Sequence, residues 1–272
     1  MKQAAYLAKK SNRLRLLVDM DGVLYRGGEM LSGVPEFFAW IEERGHGYML
    51  VTNNATRTPE EVALALDGMG LSVSPEKIIT SAIATAEWLR REAPSGARVH
   101  VLGGPGVMQA VYAPGSGFEL DWSNPEYVVV SQDFDITFQK LAAACFAVQR
   151  GARLVATNPD TTFPTERGLV PGAGAWQLVV ELVTGVEPVV IGKPGTAILE
   201  MGLRAIEGDG EVLVVGDRLD TDILAGVRLG VSTALVLTGV STREEAKTGE
   251  IKPTLIAENL PELTAALDAA PK

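Results

Sequence analysis

Apolar positions along this chain alternate between two spacings. Short runs of large apolar residues occur in "LRLLV" (14–18), "YMLV" (48–51), "EVLVV" (211–215) and "STALVL" (232–237), each closed by glycine or polar residues. Runs of this length predict strands buried on both faces of a parallel sheet, although length alone does not exclude a buried helix segment. Between them lie stretches such as "FFAWIEERG", "PEEVALALDGMG", "TAILEMGLRAIEGDG" and "ILAGVRLG", which read as helices. Strand and helix by turns is the signature of a right-handed parallel α/β sheet. A middle stretch, from about Thr80 to Glu187, has strands of its own ("ARVHVLGG", "EYVVVSQ", "ARLVATN") and helices of its own ("FQKLAAACFAVQRG", "GAWQLVVELVTG"). It reads as an inserted domain of ordinary size. The expected layout is a core from 1–80 and 188–272 with an insert at 81–187, and "EPVVIGKPG" is expected to open the second half of the core.

Polar residues recur where these strands end. Asp19 and Asp21 follow directly on Leu16, Leu17 and Val18. Side chains two apart along a strand point the same way, so both carboxylates are expected beyond the strand's carboxyl end, where open α/β sheets bind ligands. Crowded carboxylates persist when a cation lies between them or one holds a proton. The second run ends in Thr52, Asn53 and Asn54, donors suited to an oxyanion but also ordinary turn and cap residues. Lys193 ends "VVIGK", where a solvated surface charge is the competing reading. It is not a P-loop lysine, because Glu187 stands where that motif needs glycine and Pro194 follows the lysine. "VLGGPGVMQ" likewise fails the G-x-G-x-x-G pattern of a dinucleotide site. The fourth run ends in Gly216 and Asp217, followed by Asp220 and Asp222; Asp220 or Thr221 is expected to cap the next helix. In a parallel sheet, Asp19, Asp21, Thr52 and Asp217 can meet along one edge. Carboxylate oxygens there suit Mg2+, which leaves coordination places for a substrate phosphate.

Charge and composition narrow the function classes. Across 272 residues, 24 basic against 34 acidic residues give a net charge of −10 with no basic stripe, which argues against nucleic-acid binding. No run approaches the ~18 apolar residues of a membrane span, and the first residues lack the apolar middle of a signal peptide, so a cytoplasmic protein is expected. The one cysteine, Cys145, sits in an apolar helix and reads as a small buried hydrophobe. His46 and His100 have no second ligand at useful spacing and read as structural or surface residues.

Four segments in order, "DMDGVLYRG", "VTNN", "IGKP" and "GDRLDTDI", resemble the motifs of the haloacid dehalogenase superfamily. More narrowly, the chain resembles its NagD-like, p-nitrophenylphosphatase-like branch, and "ATNPDTTFPTERGLVPGAGA" is similar to a stretch typical of that branch's cap. The resemblance implies an α/β fold, a Rossmann-like core with a large α/β cap inserted after the second motif. It implies Asp19 as the nucleophile that becomes an aspartyl phosphate and Asp21 as acid and base. Thr52 and Asn53 would bind the phosphoryl group, and Lys193 would neutralise it. Asp19, Asp21 and Asp217 would hold Mg2+, with Asp222 in support. Asn158, Asp160 and Glu166 in the cap stretch are candidates to recognise the leaving group. The implied activity is Mg2+-dependent hydrolysis of small phosphate monoesters. A phosphotransferase or mutase using the same aspartyl phosphate, or a non-catalytic phosphometabolite binder, are the alternatives. The expected partner is a small phosphorylated metabolite, and a homodimer is allowed.

Overall fold

The computed structural model describes residues 13–165 and 167–269, so the candidate Glu166 lies outside the described residues. The chain divides into two units. The first comprises the chain up to Thr52, Pro59–Ile79 and the chain from Leu199. Its six-stranded sheet has the order Leu255–Ala257, Ser232–Val236, Glu211–Gly216, Leu14–Val18, Gly47–Thr52, Ile78–Thr80. Leu14–Val18 pairs in parallel with Glu211–Gly216 on one side and Gly47–Thr52 on the other, and the pairings out to Leu255–Ala257 are also parallel. Along the chain this is the doubly wound order 3-2-1-4-5-6, and its direction reverses between Leu14–Val18 and Glu211–Gly216.

The apolar runs are near-continuous because this sheet is covered on both faces. Leu16, Val18, Leu50, Leu213 and Val215 join a cluster with Phe37, Trp40, Ile41 and Leu263 from the helices Val34–Glu43 and Leu260–Asp268. Leu17, one residue out of phase, faces the other side: a Cβ on Gly202 of the helix Ala197–Ala205 would lie 2.6 Å from its Cδ2. Each fully buried leucine of this kind stabilises the fold by about 1.5–3 kcal/mol.

The second unit is formed by Thr80–Ile198 with Asn53–Thr58. Its five-stranded sheet has the order Val189–Val190, Arg153–Ala156, Tyr127–Val130, Arg98–Leu102, Glu119–Leu120, all paired in parallel. This is also a doubly wound sheet, of the order 2-1-3-4-5. Val128, Val130 and Leu154 pack on Ala144, Ala147, Val148 and Val180 of the helices Phe138–Gln149 and Ala173–Thr184, and Cys145 is buried among them as a free thiol. "EPVVIGKPG" does not open the second half of the core sheet: Val189 and Val190 pair with Val155 and Ala156 here. An apolar pair specifies a strand but not the sheet it joins.

His100 lies within this second sheet, fully buried, with its ring edge-on to Trp122 at 4.4 Å and neither nitrogen hydrogen-bonded among the described residues. Burial lowers its pKa from 6.5 to about 4. The unfolded chain therefore takes up a proton between pH 6.5 and 4 that the folded chain refuses, so stability falls as pH falls through that window, by about 3 kcal/mol for this group. His100→Leu is expected to flatten the loss. Thermal melts of both proteins at neutral pH and near pH 4 measure the difference, and an equal loss in both would show that other groups carry it.

His46 is structural: its Nδ1 accepts from the Leu14 N–H at 3.2 Å. Among the described residues, no helix is long and apolar enough to cross a membrane.

Candidate active site

Where the first strand ends, the Asp19 N–H still donates to Val215 O at 2.9 Å, extending the parallel ladder one residue past Val18. This fixes Asp19, half-buried, at the point where the strand order reverses, the place where such sheets bind ligands. Across the pairing, Asp217 follows Gly216 and is buried, its Oδ2 accepting from the Val240 N–H at 2.7 Å. Asp222, also buried, sits in the π-helical turn Leu219–Ile223, and its Oδ2 accepts from the Arg218 N–H at 3.1 Å. One carboxylate oxygen each from Asp19, Asp217 and Asp222 lie within 4.8 Å of one another.

Two glycines make room for this grouping. A Cβ on Gly239 would stand 1.8 Å from Asp217 Oδ2, and one on Gly216 would stand 2.2 Å from the Asp222 Cβ. Asp222, expected only in support, is thus a member of the cluster. Asp21 is not: the strand stops at Val18, so the alternation that placed Asp19 and Asp21 together does not reach it, and its side chain is exposed. Partial desolvation raises the Asp21 carboxyl above its ordinary 3.8, with Arg26 pulling the other way. Arg26, on the short hairpin that follows, donates to the carbonyls of Thr238 and Gly239, and the Thr238 hydroxyl donates to Gly22 O at 2.6 Å. The turn 238–241 therefore holds both Asp217 and the segment carrying Asp21. No polar spacing announced it; a glycine soon after a strand was the one available signal. Asp220 does not cap a helix but pairs with Arg218 at 2.9 Å, and hydrogen bonding to that guanidinium lowers its carboxyl.

Within the second unit, Asn53 is the centre of a polar group. Its amide grips the Lys193 backbone at both ends, donating to Lys193 O at 2.9 Å and accepting from Lys193 N–H at 2.8 Å. The same nitrogen donates to Asp160 Oδ2 at 3.0 Å. The Asn53 carbonyl accepts from Asn158 Nδ2 at 2.8 Å and Ser81 Oγ at 2.6 Å, while Asn158 Oδ1 accepts from the Asp160 N–H at 3.1 Å. Lys193 is 3% exposed, so it is no solvated surface charge. Asn158 and Asp160, expected to face a leaving group, bond to Asn53. Asn54 accepts from both the Thr56 N–H and hydroxyl and is a turn residue. Thr52 is buried at the end of its strand in the first unit.

Residues 16–116 match the haloacid dehalogenase-like hydrolase family, and residues 190–263 match a second family of such hydrolases. Over 253 residues, 93% of this chain and 97% of the relative, the sequence is 40% identical to an acid sugar phosphatase of Staphylococcus saprophyticus. The chain belongs to the haloacid dehalogenase superfamily. Among solved structures of that superfamily, NagD from E. coli superposes with a TM-score of 0.84 at 33% identity, covering 91% of this chain and 97% of its own. A glycerol phosphate phosphatase from Mycobacterium tuberculosis, in complex with magnesium, superposes at 0.83 with 34% identity, over 92% of this chain and 75% of its own. These place the chain in the NagD-like branch, with the parallel core and α/β insert that the resemblance implied.

Proposed function

We propose that this protein is a Mg2+-dependent phosphatase that hydrolyses small phosphate monoesters, sugar phosphates among them, through a phosphorylated Asp19. The observation that carries the reading is the convergence of Asp19, Asp217 and Asp222 at the reversal of strand order. Three carboxylate oxygens in so small a volume repel one another, and two of the three residues are buried; a hard cation is the counter-charge that such a donor set fits. When bound there, Mg2+ supplies positive charge against the equatorial phosphoryl oxygens.

The chain's own groups then divide the reaction. The Asp19 carboxylate attacks phosphorus as the bond to the ester oxygen breaks, and Asp21, whose carboxyl is raised, gives that oxygen its proton. As a carboxylate, Asp21 next takes a proton from the water that attacks the aspartyl phosphate, releasing phosphate and restoring Asp19. We adopt for Thr52, Asn53 and Lys193 the phosphoryl-binding roles the family resemblance implies. The Asn53 amide serves by fixing Lys193 through its backbone, and Asn158 and Asp160 hold Asn53 in turn. A cytoplasmic location suits charged phosphate esters, which do not cross membranes unaided.

Free phosphate released from a panel of sugar phosphates and from p-nitrophenyl phosphate tests the reading. Release that keeps pace with substrate loss is expected. Transfer to an organic acceptor would mark a phosphotransferase, and binding without turnover would leave only a sensor. Two variants extend the test. Asp160→Ala is expected to lower kcat/KM about tenfold on every substrate alike, since it loosens Asn53 rather than a leaving-group contact. A fall confined to sugar phosphates would return Asp160 to substrate recognition. Gly239→Ala should displace the Asp217 carboxylate and raise the Mg2+ concentration for half-maximal activity at least about tenfold.

A further inference from the structure

The peptide that joins Gly239 to Val240 is held from both ends. Its N–H, on Val240, donates to Asp217 Oδ2 at 2.7 Å. Its carbonyl, on Gly239, accepts from Arg26 Nη2 at 3.4 Å, and the same nitrogen donates to the neighbouring Thr238 carbonyl. In a trans peptide the N–H and C=O point in opposite directions, so a donor that anchors the carbonyl on one side aims the N–H to the other. A cationic donor also polarises the peptide and strengthens the bond that its N–H makes. Arg26 has a competing partner. The hairpin Tyr25–Arg26, Glu29–Met30 turns through Gly27 and Gly28, both at positive φ (58° and 90°), and sets Arg26 directly opposite Glu29. A cross-strand ion pair is the ordinary outcome of that placement. Among the described residues Arg26 makes no ion pair, and its guanidinium turns to the two carbonyls instead. The base of the hairpin is tied to the same place: the Gly22 N–H donates to Tyr25 O at 2.8 Å, and Gly22 O accepts from the Thr238 hydroxyl at 2.6 Å. A Cβ on Gly22 would lie 2.6 Å from Asp217 Oδ2, so this segment packs directly on the carboxylate.

We propose that Arg26 is a positioning residue of the cation site: it holds the Gly239–Val240 peptide by its carbonyl and, through that peptide, sets the direction of the Asp217 carboxylate. The inference rests on the phosphatase reading, which places Mg2+ at Asp19, Asp217 and Asp222. The Arg26 Nη2 group carries two hydrogens in the plane of the guanidinium, one for each carbonyl, which an apolar side chain cannot replace. The sign of the effect separates this role from a simple effect of charge. A positive side chain near three carboxylates opposes a second cation, so deleting the Arg26 charge would by Coulomb's law alone tighten Mg2+ binding. Loss of the alignment of Asp217 does the opposite.

Calorimetric titration of the full chain with Mg2+ alone, without substrate, should give a dissociation constant about tenfold higher for Arg26→Met than for the wild-type protein. Methionine keeps an unbranched stem and removes every donor. Arg26→Lys, whose ammonium can still reach a carbonyl, should fall between the two. With Mg2+ saturating, KM for p-nitrophenyl phosphate should stay within about twofold in Arg26→Met, because the guanidinium is turned to the protein's own carbonyls. Arg44→Met removes an equal charge, one paired with Asp268 at 2.9 Å, and should not weaken Mg2+ binding. Arg26 is exposed, and far-UV circular dichroism checks that each variant is folded. A dissociation constant for Arg26→Met equal to or below that of the wild type would overturn the proposal, even with a lowered melting temperature, because the bonds would then serve only the fold. So would a raised KM with unchanged Mg2+ binding, which would make Arg26 a substrate contact. A wild-type protein that takes up no Mg2+ would overturn both the proposal and the reading on which it rests. A chain that binds Mg2+ but releases no phosphate would end the phosphatase reading alone, since the calorimetric comparison needs no turnover.

Discussion

Asp19→Asn is expected to abolish turnover, by about 10⁴-fold or more, as removal of a covalent nucleophile does in other enzymes. Asparagine keeps the shape of the side chain and the Asp19 N–H to Val215 O bond is untouched, so the strand end should not move. What is lost is the attacking charge. A rapid-quench single turnover should show phosphoryl label on wild-type protein and none on the variant, with substrate binding retained because the negative charge facing the phosphate has been reduced. Chelation should silence the wild-type protein, and added Mg2+ should restore it, since without a cation the oxygens of Asp19, Asp217 and Asp222 present only repulsion to a phosphate dianion. Full turnover by Asp19→Asn, or indifference to chelator, would remove the covalent scheme.

Asp21→Asn is expected to separate substrates by their leaving groups. A sugar alkoxide cannot depart without a proton, whereas p-nitrophenolate can, so the first step should slow by about 10²–10⁴ for sugar phosphates and much less for p-nitrophenyl phosphate. The direction of the Asp21 pKa agrees with the role: desolvation favours the neutral acid, and Arg26 limits the effect so that the group can still give its proton up. Breakdown of the aspartyl phosphate should also slow, because in the proposed scheme the same carboxylate is the base for water. Phosphorylated protein should therefore accumulate with p-nitrophenyl phosphate, visible as a burst of p-nitrophenolate ahead of a slow steady state. Equal losses in the first step on both substrates would reduce Asp21 to a structural residue.

Much of this protein could be read from its sequence because the information was local. Runs such as "LRLLV" and "EVLVV" report strands through the period of their side chains, and the glycine and aspartate that follow report where those strands stop. Asp19 and Asp217 were therefore legible as strand-end carboxylates, whereas Thr52, Asn53 and Lys193 were singled out by the resemblance of the four ordered segments. Other features depended on contacts between residues far apart in the chain. Val189–Val190 entered the second sheet because its partner strand, Arg153–Ala156, lay there, which no apolar pattern encodes. Asp222 joined the carboxylate cluster because a π-helical turn and the absent side chain of Gly216 let it approach, while Asp21 left it because the strand ended three residues earlier. Asn158 and Asp160 looked like groups in a polar loop until Asn53, about a hundred residues away, supplied their partner. Side-chain period tells which residues share a side of an element. Which element that side meets, and so whether Leu182 is buried or left at 88% exposure, follows from the path of the whole chain.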